Sequence, residues 1–185
     1  MQAQRMMNYT VKDIYALPDG ERAELIDGEM YMMTPPNRIH QKLVHQLDKL
    51  IGNYIDSGHG ECEVYPAPFA VFLNADNHTY VEPDLSVICD KNKLDDRGCS
   101  GAPDWVIEIT SPGSLRKDCS VKLFKYRDAG VREYWIVNPM RQMVQTYFFE
   151  ASEEDERGFG EFSFDEDIPV RIYEGWSIKI GDLLK

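Results

Sequence analysis

The run from Trp105 to Val137 constrains the fold of this chain more than any other part of its sequence. Trp105-Val106-Ile107-Glu108-Ile109-Thr110 is an apolar strand interrupted by a single acid, and Ser111-Pro112-Gly113-Ser114 stops it. Asp118 to Ala129 reads as a helix, with Gly130 in the position of a C-terminal cap, and Glu133 to Val137 reads as a second buried strand. Strand, helix and strand in that order fit a right-handed crossover between neighbouring parallel strands. A chain built around such a unit must cover the sheet on both faces, which places it among α/β or α+β folds.

The segments before this unit supply the cover and more strands. Thr10 to Leu17 reads as a short helix, with Thr10 as N-cap and Asp13 in its first turn. Asp27-Gly28 between two short apolar runs predicts a tight hairpin over Glu24 to Met33. Ile39, Leu43, Leu47, Leu50 and Ile51 recur at helical spacing, so the stretch up to Ser57-Gly58 is the clearest helix of the chain. Val64-Tyr65, Ala70 to Leu73, Tyr80-Val81 and Leu85 to Cys89 read as strands, and Lys91 to Pro103 as a polar loop. Met143 to Phe149 returns as a strand after Asn138-Pro139; an acidic loop from Ser152 to Gly160 and two short strands follow.

Composition bounds the function classes. Hydrophobic residues are 43% and charged residues 28% of 185 residues, ordinary for a globular chain of one domain, here expected over residues 1–185. The net charge of −12 opposes broad phosphate binding, which depends on Lys and Arg. The charge is uneven, however: Glu150 to Lys185 carries eleven acids and four bases, whereas Trp105 to Phe149 carries seven bases and four acids. Cys62, Cys89, Cys99 and Cys119 form no C-x-x-C pair, and the first ten residues lack the apolar core of a signal peptide. A cytoplasmic protein with reduced thiols and no membrane partner is the expectation.

The candidates for chemistry are acids in apolar surroundings. Asp84 follows Glu82-Pro83 and opens the apolar run Leu85-Ser86-Val87-Ile88; Glu108 shares a strand face with Val106 and Thr110. A carboxylate so placed must be paired or must bind a metal, and two on adjacent strand ends suit Mg²⁺. Asp118, Lys122 and Tyr126 fall at i, i+4 and i+8, a polar-edged stripe from which Lys122 reaches back toward the Glu108 strand end. Val121, Leu123 and Phe124 then form the core face. Plainer readings are a turn carboxylate for Asp84, a surface ion pair with Asp118 for Lys122, a solvated strand residue for Glu24 and a helix-entry or core residue for His40. Tyr126, Tyr134 and Trp135 read as packing residues, and His45, His59 and His78 as surface residues.

Glu24-Leu25-Ile26-Asp27-Gly28-Glu29, Pro35 to Gln41, Glu82-Pro83-Asp84-Leu85-Ser86-Val87, Trp105 to Pro112, Asp118 to Tyr126 and Gly130 to Val137, taken in order, resemble the Uma-type family of restriction endonucleases. That family is a branch of the PD-(D/E)XK nuclease superfamily. The resemblance implies a restriction-endonuclease-like mixed β-sheet core flanked by helices. It implies an endonuclease that hydrolyses phosphodiester bonds in DNA with Mg²⁺ or Mn²⁺, and a homodimer. Asp84 and Glu108 match the metal-binding acids, Glu24 matches an N-terminal acid that can complete such a site, and Glu82 and His40 are further candidates. Thr110 stands where the superfamily has its lysine, so the resemblance assigns that role to Lys122 on the next helix. A catalytically inactive module of the same fold, binding nucleic acid or a protein, is the alternative.

Overall fold

The computed structural model describes residues 8–74, 76–113, 117–151 and 158–185, with the backbone alone at Lys117. The break at Ser114, the base Arg116 and residues 152–157 of the acidic loop lie outside the described residues.

Helix α1 (Val11–Tyr15) starts in a capping box between Thr10 and Asp13 and packs Val11 and Ile14 inward. Strands β1 (Ala23–Ile26) and β2 (Glu29–Met32) form the expected hairpin. Its turn residues Asp27 and Gly28 both have positive φ, 51° and 80°, the backbone that makes Asp-Gly favourable there. Helix α2 (Arg38–Asp56) begins at Asn37, whose side chain accepts a hydrogen bond from the His40 backbone N–H. It buries Leu43, Val44, Leu47, Ile51 and Ile55, each worth roughly 1.5–3 kcal/mol of transfer free energy.

The central sheet has six strands, in the order β11-β10-β9-β8-β5-β3. These are β3 (Glu63–Pro66), β5 (Leu85–Ile88), β8 (Trp105–Ile109), β9 (Glu133–Asn138), β10 (Met143–Phe148) and β11 (Phe159–Ser163). Only β8 and β9 pair parallel; the other neighbours are antiparallel. The crossover between them carries the helical segment that ends in α3 (Leu123–Ala129), closed by Gly130 at φ 95°.

Alternation along β8 and β9 splits the core in two. Trp105, Ile107, Ile109, Trp135 and Val137 face α2 and the C-terminal segments, with the two indoles edge to face at 5.0 Å between centroids. Val106, Tyr134 and Ile136 face α3, together with Tyr126 and Val131.

Four expectations are corrected. Lys91 to Pro103 is not merely a loop: β6 (Leu94–Asp95) and β7 (Gly98–Ser100) join β4 (Val71–Phe72) in a three-stranded sheet. Its backbone pairing compensates for a sequence too polar and too short to show strand periodicity. Residues Lys117–Lys122 form a π-helical turn rather than the start of an α-helix. The core face of this segment also differs from that expected: Leu123 packs against the core as read, but the polar stripe and not Val121 or Phe124 accompanies it. Asp118, Lys122 and Tyr126 are buried, whereas Phe124 is 53% and Val121 36% exposed. The polar stripe turns inward because it finds ionic partners there. Finally, Cys62 and Cys89 are not reduced thiols. They stand just beyond the paired ends Glu63 and Ile88, with Cα atoms 3.9 Å apart, and form a disulfide. Cys99 and Cys119 are free, and no described helix is long and apolar enough to cross a membrane.

Candidate active site

Asp84 immediately precedes β5, and Glu108 is the penultimate residue of β8. The register pairs Leu85 with Ile107, so the next step outward brings Asp84 and Glu108 to the same end of neighbouring strands. Asp84 is anchored there: its Oδ2 accepts the Ile109 backbone N–H at 2.7 Å and lies 3.1 Å from His40 Nε2. His40 projects from the first turn of α2, and its Nδ1 is buried with no hydrogen-bond partner among the described residues. Burial pulls the imidazole pKa down, but the hydrogen bond to Asp84 and that residue's charge outweigh it and raise it.

Glu108 is 5% exposed and faces α3. Its Oε1 accepts from Lys122 Nζ at 2.6 Å and from the Tyr126 hydroxyl at 2.7 Å. Lys122 is 3% exposed and also donates to Glu24 Oε1 at 2.6 Å, with Asp118 Oδ1 at 3.8 Å. Glu24 arrives from β1, and its Oε1 accepts the Glu82 backbone N–H at 3.2 Å. The hairpin, the ends of β5 and β8, and the helical crossover thus meet at one ammonium. Glu82 itself turns away, bound to Arg22 and to the Tyr80 hydroxyl at 2.6 Å.

Four carboxylates (Glu24, Asp84, Glu108 and Asp118) therefore face one ammonium and one imidazole, an excess of negative charge. Burial pushes the Glu108 carboxyl up, to about 8; Lys122 pulls it down, while Asp118, Asp84 and Glu24 push it further up. Burial opposes the charge on Lys122, but Glu108, Glu24 and Asp118 together hold its pKa well above the ordinary value.

All four of the predicted site residues, Asp84, Glu108, Lys122 and Glu24, lie in this neighbourhood. Lys122 binds Glu24 and Glu108 directly, whereas Asp84 stands beside them on its own contacts with His40 and Ile109. Sequence reasoning underrated Tyr126 and Asp118. Both were visible as the i+4 and i−4 neighbours of Lys122, but a tyrosine in a helix reads as packing until its hydroxyl is seen on a carboxylate.

Among the described residues, no three His, Cys, Asp or Glu side chains are grouped as a ready-made metal cage. The donor set nevertheless fits a hard divalent cation. Asp84 and Glu108 offer carboxylate oxygens at adjacent strand ends, and Mg²⁺ is commonly held by one or two carboxylates with water completing the shell. The surplus of negative charge around them supplies the electrostatic demand for such a cation.

Comparison with known proteins agrees with the fold. The profile of the family described as "Uma2: Putative restriction endonuclease" matches residues 11–180. The chain belongs to the Uma2 family. Two uncharacterized proteins of Synechocystis sp. (strain ATCC 27184 / PCC 6803 / Kazusa) are 26% and 23% identical to it over 129 and 130 residues. Each match covers 69% of this chain and, respectively, 66% and 72% of the relative, so the chain spans just under two thirds of the first relative's length. A protein of Anabaena variabilis ATCC 29413, described as "a putative nuclease belonging to DUF820", superposes with a TM-score of 0.72 at 20% identity. That match covers 94% of this chain and 96% of the other, and it shows a shared restriction-endonuclease-like fold. Within the Uma2 family, then, the acids of this chain occupy the end of a mixed sheet flanked by helices.

Proposed function

We propose that this Uma2-family chain is a divalent-metal-dependent endonuclease that hydrolyses phosphodiester bonds in DNA. The observation that carries the reading is the meeting of Asp84 and Glu108 at adjacent strand ends, with Lys122 bound to Glu108. In this reading Asp84 and Glu108 hold Mg²⁺ or Mn²⁺. A metal bound there would make water more acidic and offset charge on the scissile phosphate.

The chain's own residues do the rest. The Ile109 N–H and His40 fix the Asp84 carboxylate, and Tyr126 and Lys122 fix Glu108, so neither acid must reorganise when substrate arrives. Lys122 already donates to two carboxylates, a geometry for donating to developing negative charge rather than for removing a proton from water. Glu24 holds the ammonium from the opposite side and is a positioning residue. Cutting both strands of a duplex would need two such sites, which fits a homodimer.

The same saturation of Lys122 favours a second reading, an inactive module that retains the fold and binds nucleic acid or a protein. The lysine is neutralised between Glu24 and Glu108, and Thr110 stands in the strand position that would present a free one.

A supercoiled-plasmid nicking assay in Mg²⁺ or Mn²⁺ separates the two. Nicking is expected from the wild type, abolished by EDTA and reduced at least a hundredfold in Asp84→Asn and Glu108→Gln. Lys122→Met is expected to lose activity comparably, with circular dichroism checking that it folds. Equal nicking by the wild type and both acid variants would exclude this site. No nicking by the wild type in either metal would favour the inactive module.

A further inference from the structure

The sheet face that carries Glu108 holds a second feature. Strand pairing runs from Glu108 to Ile136, from Ile136 to Gln145 and from Gln145 to Glu161, so these residues form one row across β8, β9, β10 and β11. Neighbouring strands lie about 4.8 Å apart, which places Gln145 about 10 Å and Glu161 about 14 Å from Glu108 along the row. A cavity of about 460 Å³ opens over the far part of this row, lined among others by Ile136, Asn138, Arg141, Gln145, Tyr147 and Glu161. Its size suits a small organic ligand, for which sites run about 300–1,000 Å³.

The polar groups of the cavity are oriented. Gln145 Nε2 donates to Glu161 Oε2 at 3.1 Å, and the Cys119 thiol lies 4.0 Å from Gln145 Oε1. Asn138 Oδ1 accepts the backbone N–H groups of Met140 and Arg141 at 3.1 Å each, which leaves its amino group to donate. Tyr147 packs between Tyr134 and Phe159, with ring centroids 6.3 and 5.1 Å away. The cavity therefore combines an aromatic ring, an apolar floor, a carboxylate acceptor, two oriented amides and a guanidinium.

We propose that this cavity binds one nucleotide of the substrate strand, its base carrying an exocyclic amino group. The proposal rests on the nucleic-acid reading of the neighbouring site. A planar base packs against Tyr147, as bases do on aromatic side chains. Its amino group donates to Glu161, the pairing by which carboxylates select cytosine, while Gln145 meets the rest of the base edge. The phosphate pairs with Arg141. The row from Glu108 to Glu161 spans a few nucleotides at about 3.4 Å of rise each, so a strand cut beside Glu108 reaches the cavity. Thymine turns a carbonyl oxygen toward Glu161 instead and is rejected.

Calorimetric titration of the intact protein with dCMP and with dTMP tests this without any turnover. The wild type is expected to bind dCMP about tenfold more tightly than dTMP. Glu161→Gln removes that preference, and Arg141→Ala weakens both nucleotides about tenfold. Equal affinity for the two nucleotides, no binding of either, or unchanged binding in both variants would overturn the proposal. The plasmid assay keeps the two readings apart. Nicking without selective nucleotide binding sinks the cavity proposal alone, and selective binding without nicking sinks the nuclease reading alone.

Discussion

Glu133 shows that a buried carboxylate need not belong to a site. It is fully buried, and its oxygens accept the Trp135 indole N–H at 2.7 Å and the backbone N–H groups of Arg171 and Ile172 at 2.8 and 2.9 Å. It thus ties the C-terminal segment to the start of β9. Burial raises its pKa above the ordinary 4.5, although the three donors resist the shift. The folded chain therefore holds this proton more tightly than the unfolded chain does. Its contribution to stability is complete below pH 4.5 and is lost as the pH rises through the folded-state value. Urea unfolding across pH 4–8 should show that decline in the wild type and a flatter profile in Glu133→Gln. An identical slope in both proteins would count against the assignment. Glu24 and Glu108 are also buried, yet both accept from the Lys122 ammonium, and Glu24 takes the Glu82 backbone N–H as well. The sequence shows all three only as acids among apolar neighbours. What surrounds each one comes from segments far away in the chain.

The small sheet of β4, β6 and β7 supports the site from a distance. Bridges from Leu25 to Tyr80 and from Val71 to Val81 connect β1, which bears Glu24, to β4 and so to β7. Gly98 is the tight point: its φ is +138°, and a Cβ there would meet the Ala70 carbonyl oxygen at 2.2 Å. Cys99 donates its backbone N–H to that same oxygen, so neither strand can retreat without losing a hydrogen bond. Gly98→Ala should cost about 1–3 kcal/mol, read as a lower urea midpoint with an unchanged slope. An unaltered midpoint would show that the contact is not tight. Helix α2 was legible from its helical period, strands β5, β8 and β9 as apolar runs buried along their whole length, and β10 as the strand that returns after Asn138-Pro139. In this sheet β4 was legible inside the run Ala70 to Leu73, whereas β6 and β7, of two and three residues, are too short to display a period.

At the scale of the whole molecule, the net charge of −12 means that the folded chain repels itself. Raising monovalent salt from about 20 to 300 mM at pH 7.5 shortens the screening length severalfold and should raise the melting temperature. Binding to DNA through a few basic contacts should weaken over the same range, because counterion release loses its drive. Opposite salt trends in thermal unfolding and in fluorescence-anisotropy binding would support a nucleic-acid surface confined to part of an acidic protein. A binding constant indifferent to salt would argue against phosphate contacts altogether.

The sequence by itself determined the strand–helix–strand unit, the hairpin at Asp27-Gly28 and the long helix, and its family resemblance pointed to Glu24, Asp84, Glu108 and Lys122 as candidates. Those features are local or are carried by motifs, and period, turn chemistry and residue order express them directly. Only the tertiary structure decided which face of the crossover helix is buried, that Tyr126 and Asp118 join Lys122, that Cys62 meets Cys89, and that Glu108, Ile136, Gln145 and Glu161 share a row. Each depends on register between segments distant in sequence, and a polar side chain turns inward only where another segment supplies its partner.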